Sequence, residues 1–575
     1  MESAFHIFQK SLEDAIRDAL LKTDQNSLLN LKFILKKKVK NLHQGDMIVP
    51  SGCLKLDSMQ QEKLLLLMKE YCALADTLAK RVSCDKYTLL TFFIDRPKMC
   101  GCILKEVLAK GSEYGCSKIQ QEKVITLHSV SLKKASLMDL RVAVVKFHAR
   151  KLLKANGFNV IPETQGKSSE YEQLVQTFSE DFSKMENTSQ NLRNLDDCRR
   201  NYQTASVSRQ CILPKLHSLP SDTLPDSTDF VTHEGKENLI LDLQRVILSK
   251  GLHQGKGGFD SNLKLVQVLQ DSQPATILEE SFTVLDSIPD FPQIKKHHCL
   301  HISPHNAAFT DQKIILIAHS LVDSGLSQSQ LVIGPINVQD TSQASLLSAQ
   351  DFYNSRFSQF KEASEMRNAI SNNVCNEEDV KTLTDASIKI DILGNACSSP
   401  LTLENAASDR GAESRLGAFI LYNTARLSTL LQKFDQAVEE GFYPALPPLD
   451  QINWALLREE EDWELVYVYI ASFPELVSQS VECVYPAEGK LSAKIHTHKV
   501  TNFLVSFSKC LSTHYSRYHI LTGRESHLLP LMYARLYMMK AVHQNEKLSL
   551  QEPDPKLQFN DKMKKYQQDH CCLTD

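Results

Sequence analysis

One stretch restricts the fold of this chain more than any other. Val124-Ile125-Thr126-Leu127 is a short apolar, β-prone run. From Leu137 to Asn156 the apolar residues recur at helical spacing, Gly157 stops the helix, and Phe158-Asn159-Val160-Ile161 is a second β-prone run. Two apolar strands joined through a long helix read as a βαβ piece, which predicts a pair of parallel strands. A second strand, helix and strand follow in Cys299-Leu300-His301-Ile302, Gln312 to Asp323, and Gln330 to Ile333 before a Gly334-Pro335 turn.

Around these pieces the sequence divides as follows. Residues 1–118 read as an N-terminal α/β module. It has an amphipathic first helix carrying Phe5, Phe8, Leu12 and Ile16, a helix from Met59 to Lys80, a strand Tyr87 to Ile94 closed by Asp95-Arg96-Pro97, and a helix ending at Gly111. Residues 119–162 and 290–355 form the parallel core, and 163–289 read as a mostly disordered linker with helices at Tyr171 to Met185 and Glu237 to Ser249. Residues 356–400 are a connector, 401–550 a helical bundle and 551–575 a polar tail. The fold class is α/β plus all-α.

In the bundle, Gly411 to Asp435 is a helix with Leu416, Ile420, Leu427, Leu431 and Phe434 on one side. Arg415, Tyr422, Arg426 and Lys433 form a second stripe beside it. Cations with an aromatic ring suit RNA, the cations for phosphate and the ring for a base. They equally suit a core helix with a solvated face. Lys509, Arg517, Arg524 and Arg535 lie off the apolar faces of the later helices, and Lys36, Lys37 and Lys38 sit in a basic run of the N-terminal module; these are further phosphate-contact candidates. The acidic run Glu459-Glu460-Glu461-Asp462 between Trp454 and Trp463 reads as a solvated loop or a protein-facing edge. Net charge is −4, so any nucleic-acid contact must come from local patches.

Leu421-Tyr422-Asn423-Thr424-Ala425-Arg426, then Phe434-Asp435 and Phe473-Pro474-Glu475-Leu476-Val477, resemble the DALR anticodon-binding domain of class I arginyl-tRNA synthetases. The N-terminal module resembles the additional domain of that family. The parallel pieces resemble its Rossmann catalytic core, through Leu140-Arg141 and Lys154 to Val160. The family opens the core helix with His-Ile-Gly-His, whose imidazoles stabilise ATP phosphate charge in adenylate formation. Here those positions are Ser136, Leu137, Met138 and Asp139, and the later ATP-clamping loop, Val338 to Asp351, holds no Lys or Arg. The resemblance thus implies a degenerate class I synthetase-like Rossmann core with an intact reader, which is not an enzyme and takes no cofactor or metal.

The broken catalytic motifs with an intact reader resemble the non-catalytic DALR-domain relatives of these synthetases. What that resemblance implies is a tRNA-binding adaptor for arginine isoacceptors that presents them to a tRNA 3-methylcytidine methyltransferase acting on the anticodon loop. No glycine-rich S-adenosylmethionine loop follows a strand, so methyl transfer would belong to the partner. A divergent arginine-tRNA ligase and a purely structural scaffold are the alternatives. Gly251 to Lys256 has neither the spacing nor the strand of a phosphate loop, and His297, His298, Cys299, His301 and His305 match no closed zinc pattern. The acid-bearing N-terminal helix, the scattered cysteines and the lack of a long apolar run imply a cytoplasmic protein, with the nucleus also open and no membrane partner.

Overall fold

The computed structural model describes residues 3–23, 35–51, 56–85, 88–117, 120, 122–129, 136–161, 239–270, 273–286, 297–321, 327–338, 348–371, 377–403 and 414–550. The chain divides into two compact units. The first comprises Met1–Gly115, Phe419–Leu476 and Phe503–Asp575; the second comprises Cys116–Ala418 and Val477–Asn502.

The first unit begins with α1 (Ala4–Thr23), β1 (Lys36–Lys37), β2 (Met47–Pro50), α2 (Ser58–Ala73), β3 (Ala79–Ser83), β4 (Thr88–Ile94) and α3 (Arg96–Lys110). The strands form an antiparallel sheet of order β1-β2-β4-β3. Helix α2 starts where Asp57 and Gln60 exchange capping bonds. It ends at Ala73, so the helix expected as far as Lys80 is shorter, and Lys80 lies in β3 instead.

Buried Asp46 precedes β2. One carboxylate oxygen accepts from Ile94 N at 2.8 Å; the other accepts from the Trp463 indole at 2.8 Å and from Arg96 at 3.3 Å. Its carbonyl accepts from the Tyr467 hydroxyl at 2.8 Å. Arg96 also bonds Glu460 at 3.1 Å. The N-terminal sheet and the helical bundle thus form one body, sealed further by Tyr114 to Ile470 O at 2.9 Å and Gln544 to Val107 O at 2.9 Å. Gly101 in α3 is required here, because a Cβ would meet the Trp454 ring at 2.8 Å.

The second unit holds β5 (Val124–His128), α4 (Leu137–Ala155), β6 (Asn159–Ile161), β7 (Leu239–Asp242), α5 (Leu243–Ser249), β8 (Leu265–Gln270), β9 (Gln273–Pro274), α6 (Thr276–Asp286), β10 (His297–Pro304), α7 (Ala308–Leu321), β11 (Ser327–Ile333), β12 (Ile336–Val338), α8 (Ala349–Ser371), α9 (Glu377–Leu393) and β13 (Leu401–Leu403). Strands β11-β10-β5-β6 form the parallel sheet that the βαβ pattern requires.

Residues 239–286 depart from expectation. They were expected in a linker, with a helix over Glu237 to Ser249; instead β7-β8-β9 is an antiparallel sheet, and only α5 remains helical. The reason is burial: Leu239, Leu241, Val266, Val268 and Phe282 share a core with Ile314 to Ala318 of α7. The helix expected at Tyr171 to Met185 lies outside the described residues. The bundle also starts later than residue 401, because β13 pairs in parallel with β12.

The parallel sheet carries charge in its interior. His301 Nδ1 is 3.1 Å from Asp311 Oδ1, and its Nε2 is 2.9 Å from Gln328 Oε1. Gln328 donates its amide to Ile315 O at 3.2 Å, which fixes its oxygen toward the ring. Both imidazole nitrogens face acceptors, so both carry protons. Burial opposes this charge, but Cys299 and Asp311 outweigh it and hold the His301 pKa well above 6.5. Burial likewise disfavours the Asp311 carboxylate, yet His301 and Ser303 hold its pKa below 3.8.

Replacing His301 by Leu leaves Asp311 an unpaired buried charge and should cost about 3–5 kcal/mol in denaturant unfolding, with His301→Leu/Asp311→Leu losing less. His301 contributes fully below about pH 6.5, and that stability is lost as pH rises through its raised folded pKa. Asp311 contributes above about pH 3.8 and loses stability as pH falls through its lowered one. The wild-type alkaline decline above about pH 6.5 should therefore flatten in the double variant.

Candidate nucleic-acid interface

The bundle comprises α10 (Ser414–Glu439), α11 (Glu460–Trp463, running on as a π-helical Glu464–Tyr469), α12 (Phe473–Ser480), α13 (Thr497–Arg517) and α14 (Leu529–Leu550). Ile420, Leu421, Leu427, Leu430 and Phe434 bury one side of α10. On the stripe beside it the Arg426 guanidinium lies over the Tyr515 ring of α13, 3.4 Å from its centroid. Tyr422 is half-buried and Lys433 exposed on the same helix, and Lys509 is exposed on α13. The Arg415 side chain and the Lys36 side chain lie outside the described residues. The pairing of Tyr515 with Arg426 depends on how α10 meets α13.

The register between these helices is set by Glu546, buried in α14. Its carboxyl oxygens lie 3.2 Å from the Thr424 hydroxyl of α10 and 3.1 Å from the Ser508 hydroxyl of α13. Burial pushes its pKa up to about 8 against the pull of Ser508 and Thr424. A neutral carboxyl satisfies the geometry, since the Thr424 hydroxyl also reaches Ile420 O at 3.2 Å and has one proton to give.

Other cations expected to face RNA are turned to structural work. Arg535 was expected toward water but is buried, 4.0 Å from Asp462 and over the Tyr518 ring at 4.8 Å. Asp462 is itself fully buried and bonds His514 at 2.7 Å, so the acidic run is not a solvated loop. Arg517 is exposed but bonded to Glu461. Arg524 donates to Gly441 O and Phe442 O, each at 2.9 Å, where α10 has ended. Lys37 is half-buried against the Phe5 and Tyr467 rings and bonds Tyr467 O and Ser472 Oγ. Burial lowers its pKa to about 7, with Glu475 raising it. Lys38 donates to Asn41 O at 3.2 Å.

At the other end of the chemistry, the start of α4 is closed upon itself. The Ser136 hydroxyl accepts from Asp139 N at 3.3 Å, and the Asp139 carboxylate accepts from Ser136 N at 3.1 Å. Ser136 also bridges Ser348, just before α8. Leu137 is buried and Met138 half-buried. Arg141 is fully buried and donates to the carbonyls of Gly334, Pro335 and Ser399 at 2.7, 3.0 and 2.9 Å.

Strand order reverses between β5 and β10, the place where such sheets hold ligands. There His128 pairs in register with His301, their rings 5.0 Å apart, and both are buried. His128 is held neutral, its pKa lowered to about 3 by burial and then by the His301 charge. His128, His301 and Asp311 could offer three metal-ligand atoms within 4.8 Å of one another. Within the cluster His301 and Asp311 bond each other at 3.1 Å beside the neutral His128.

Residues 420–550 match the family model of the DALR anticodon binding domain. Beyond it, the chain is similar to proteins named DALR anticodon-binding domain-containing protein 3. It is 28% identical to that of Danio rerio over 313 residues, 54% of this chain and 53% of that protein. To that of Mus musculus it is 27% identical over 447 residues, 73% of this chain and 75% of that protein. The alignment thus spans about half the length of the zebrafish relative. Among solved structures, Thermus thermophilus arginyl-tRNA synthetase superposes with a TM-score of 0.56 at 15% identity, covering 95% of this chain and 99% of that one. The Plasmodium falciparum enzyme gives 0.55 at 10% identity, covering 94% and 97%. The fold is that of the arginyl-tRNA synthetases, with the DALR domain at the C-terminal end.

Glu546 offers a direct check on how this domain is assembled. Its folded pKa stands above the ordinary carboxylate value, so the unfolded chain releases the proton first and stability falls as pH rises from about 4.5 to about 8. Glu546→Gln preserves one donor and one acceptor and should remove that decline. At pH 8 the variant should be the more stable by a few kcal/mol, on the order of 1.4 kcal/mol per pKa unit, in urea unfolding.

Proposed function

We propose that this chain is a non-catalytic tRNA reader. It recognises arginine tRNAs through the DALR domain and supports their anticodon-loop 3-methylcytidine modification by a partner methyltransferase. The observation that carries this reading is the Arg426–Tyr515 pair on the α10–α13 face, with Tyr422 and Lys433 along the same helix. Guanidinium and aromatic planes are the groups that stack unpaired bases and hold phosphate. The synthetase-like fold supports an arginine tRNA as the RNA.

The absence of synthetase chemistry is part of the same proposal. Adenylation needs donors free at the start of α4, and there Ser136 and Asp139 bond each other. Asp139 adds negative charge where phosphate would approach. Where β5 meets β10, His128, His301 and Asp311 are buried against one another. A reader without chemistry still serves an enzyme by holding its substrate nearby at high effective concentration.

Sequencing the RNA that copurifies with the full chain tests the reading; enrichment of arginine tRNAs is expected, and an RNA profile matching the lysate would refute it. Arg426→Glu should weaken binding of arginine tRNA at least tenfold in filter binding, and Tyr515→Ala should cost about 1–3 kcal/mol if the ring stacks a base. Arg535→Ala should instead lower stability, since its partner Asp462 is buried. If Arg426→Glu left both tRNA affinity and tRNA methylation intact, a purely structural scaffold would be the better account.

A further inference from the structure

The chain between α12 and α13 forms an exposed basic ridge on the second unit. From 490 to 495 burial alternates: Lys490, Ser492 and Lys494 are exposed, whereas Leu491, Ala493 and Ile495 are buried. That period of two belongs to an extended strand, so the two lysines share one face, roughly 13 Å apart at the usual strand rise. The segment is fixed along the edge of the parallel sheet. Gln330 N donates to Leu491 O and Ala493 N donates to Gln330 O, both at 2.8 Å.

A second loop, residues 252–259, is bonded to the first. His253 N donates to Gly489 O at 2.8 Å, while Leu491 N and Ser492 N donate to Gly257 O at 2.9 and 3.1 Å. The turns run through Gly255, Gly257 and Gly489 at φ 93°, 81° and 73°, a region that side chains disfavour. Lys490 packs over Gly257, 3.7 Å from where a Cβ would stand, which brings it next to the loop bearing exposed Lys256. Beyond the extended segment come His496, His498 and Lys499. The two rings lie 5.7 Å apart, and each has its pKa lowered by burial and then by Lys499.

Lys256, Lys490, Lys494 and Lys499 make no ion pair among the described residues, and the acids of this segment are Glu482 and Glu488. Protein interfaces are depleted of lysine and built on aromatic or apolar centres. A rigid row of unpaired lysines flanked by imidazoles, with no exposed large apolar side chain within it, fits a phosphate backbone. We propose that this ridge is a second RNA-contact surface, which holds the sugar-phosphate backbone without reading sequence. The inference rests on the tRNA-reading function and adds to it a site outside the α10–α13 face.

The test is the full-length triple variant Lys256→Ala/Lys490→Ala/Lys494→Ala against arginine tRNA over a salt series. Wild type should bind with a steep salt dependence. The variant should bind at least tenfold more weakly at physiological salt, and its log–log slope should be shallower by about 2, near 0.7 for each lysine on single-stranded RNA. Preference among tRNAs should not change. The corresponding triple Arg variant should retain binding, and unaltered thermal unfolding of both would exclude a folding defect.

Wild-type affinity and slope in the Ala variant, with Arg426→Glu still defective, would overturn the ridge and leave the DALR reading standing. Loss of an acidic protein partner with RNA binding intact would also overturn it. A wild-type chain that binds no tRNA would overturn both.

Discussion

A single buried carboxylate, Asp46, holds the first unit together. It takes hydrogen bonds from Ile94 of the N-terminal sheet, from Arg96 just beyond that strand and from Trp463 of the bundle, so it joins its own segment to two others distant in sequence. Burial raises its pKa, and these donors offset only part of that cost. Around it, Tyr467 stacks on Trp463 at 4.6 Å, and Lys37 bonds the Tyr467 carbonyl. The segment that carries the acidic run is thereby drawn inward. The module and the bundle are not two beads on a string but one body, and the placement of α10 and α13 rests on it.

The same physics explains which parts of the molecule were legible in sequence. Periodicity found the βαβ unit, the strands at 297–304 and 327–333, and the long helices, because apolar spacing reports local structure directly. It did not find β7, because Leu239 and Leu241 take their β conformation from a tertiary core rather than from their neighbours. Charged residues were the least legible. Arg141, Arg535, Lys37 and Asp462 all look like surface residues in one dimension, yet each is turned inward or held by a partner. A charge looks the same in sequence whether its partner is solvent, RNA or a buried carbonyl. Arg426 and Tyr515 stand on different helices, so their stacking was invisible as well.

In the second unit the parallel sheet is organised around its own side chains. A protonated His301 and ionised Asp311 neutralise one another in its interior, and Gln328, Gln330 and Ser303 satisfy their remaining hydrogen-bonding capacity. Such a network is stable only when every member is paired, which leaves little to offer a ligand. The capped start of α4 follows the same rule, as Ser136 N and Asp139 N are satisfied by each other's side chains. The fold of a synthetase is therefore compatible with a core whose polar groups are directed to holding that fold.

The most direct measurement of the central claim is arginine-dependent ATP–pyrophosphate exchange by the full-length chain at high concentration, with arginine tRNA present. A capped helix and a self-paired polar cluster predict exchange no faster than a protein-free control, from a sample that binds the tRNA in parallel. Turnover above that control, dependent on arginine and lost on mutation of residues near Ser136, would contradict the account.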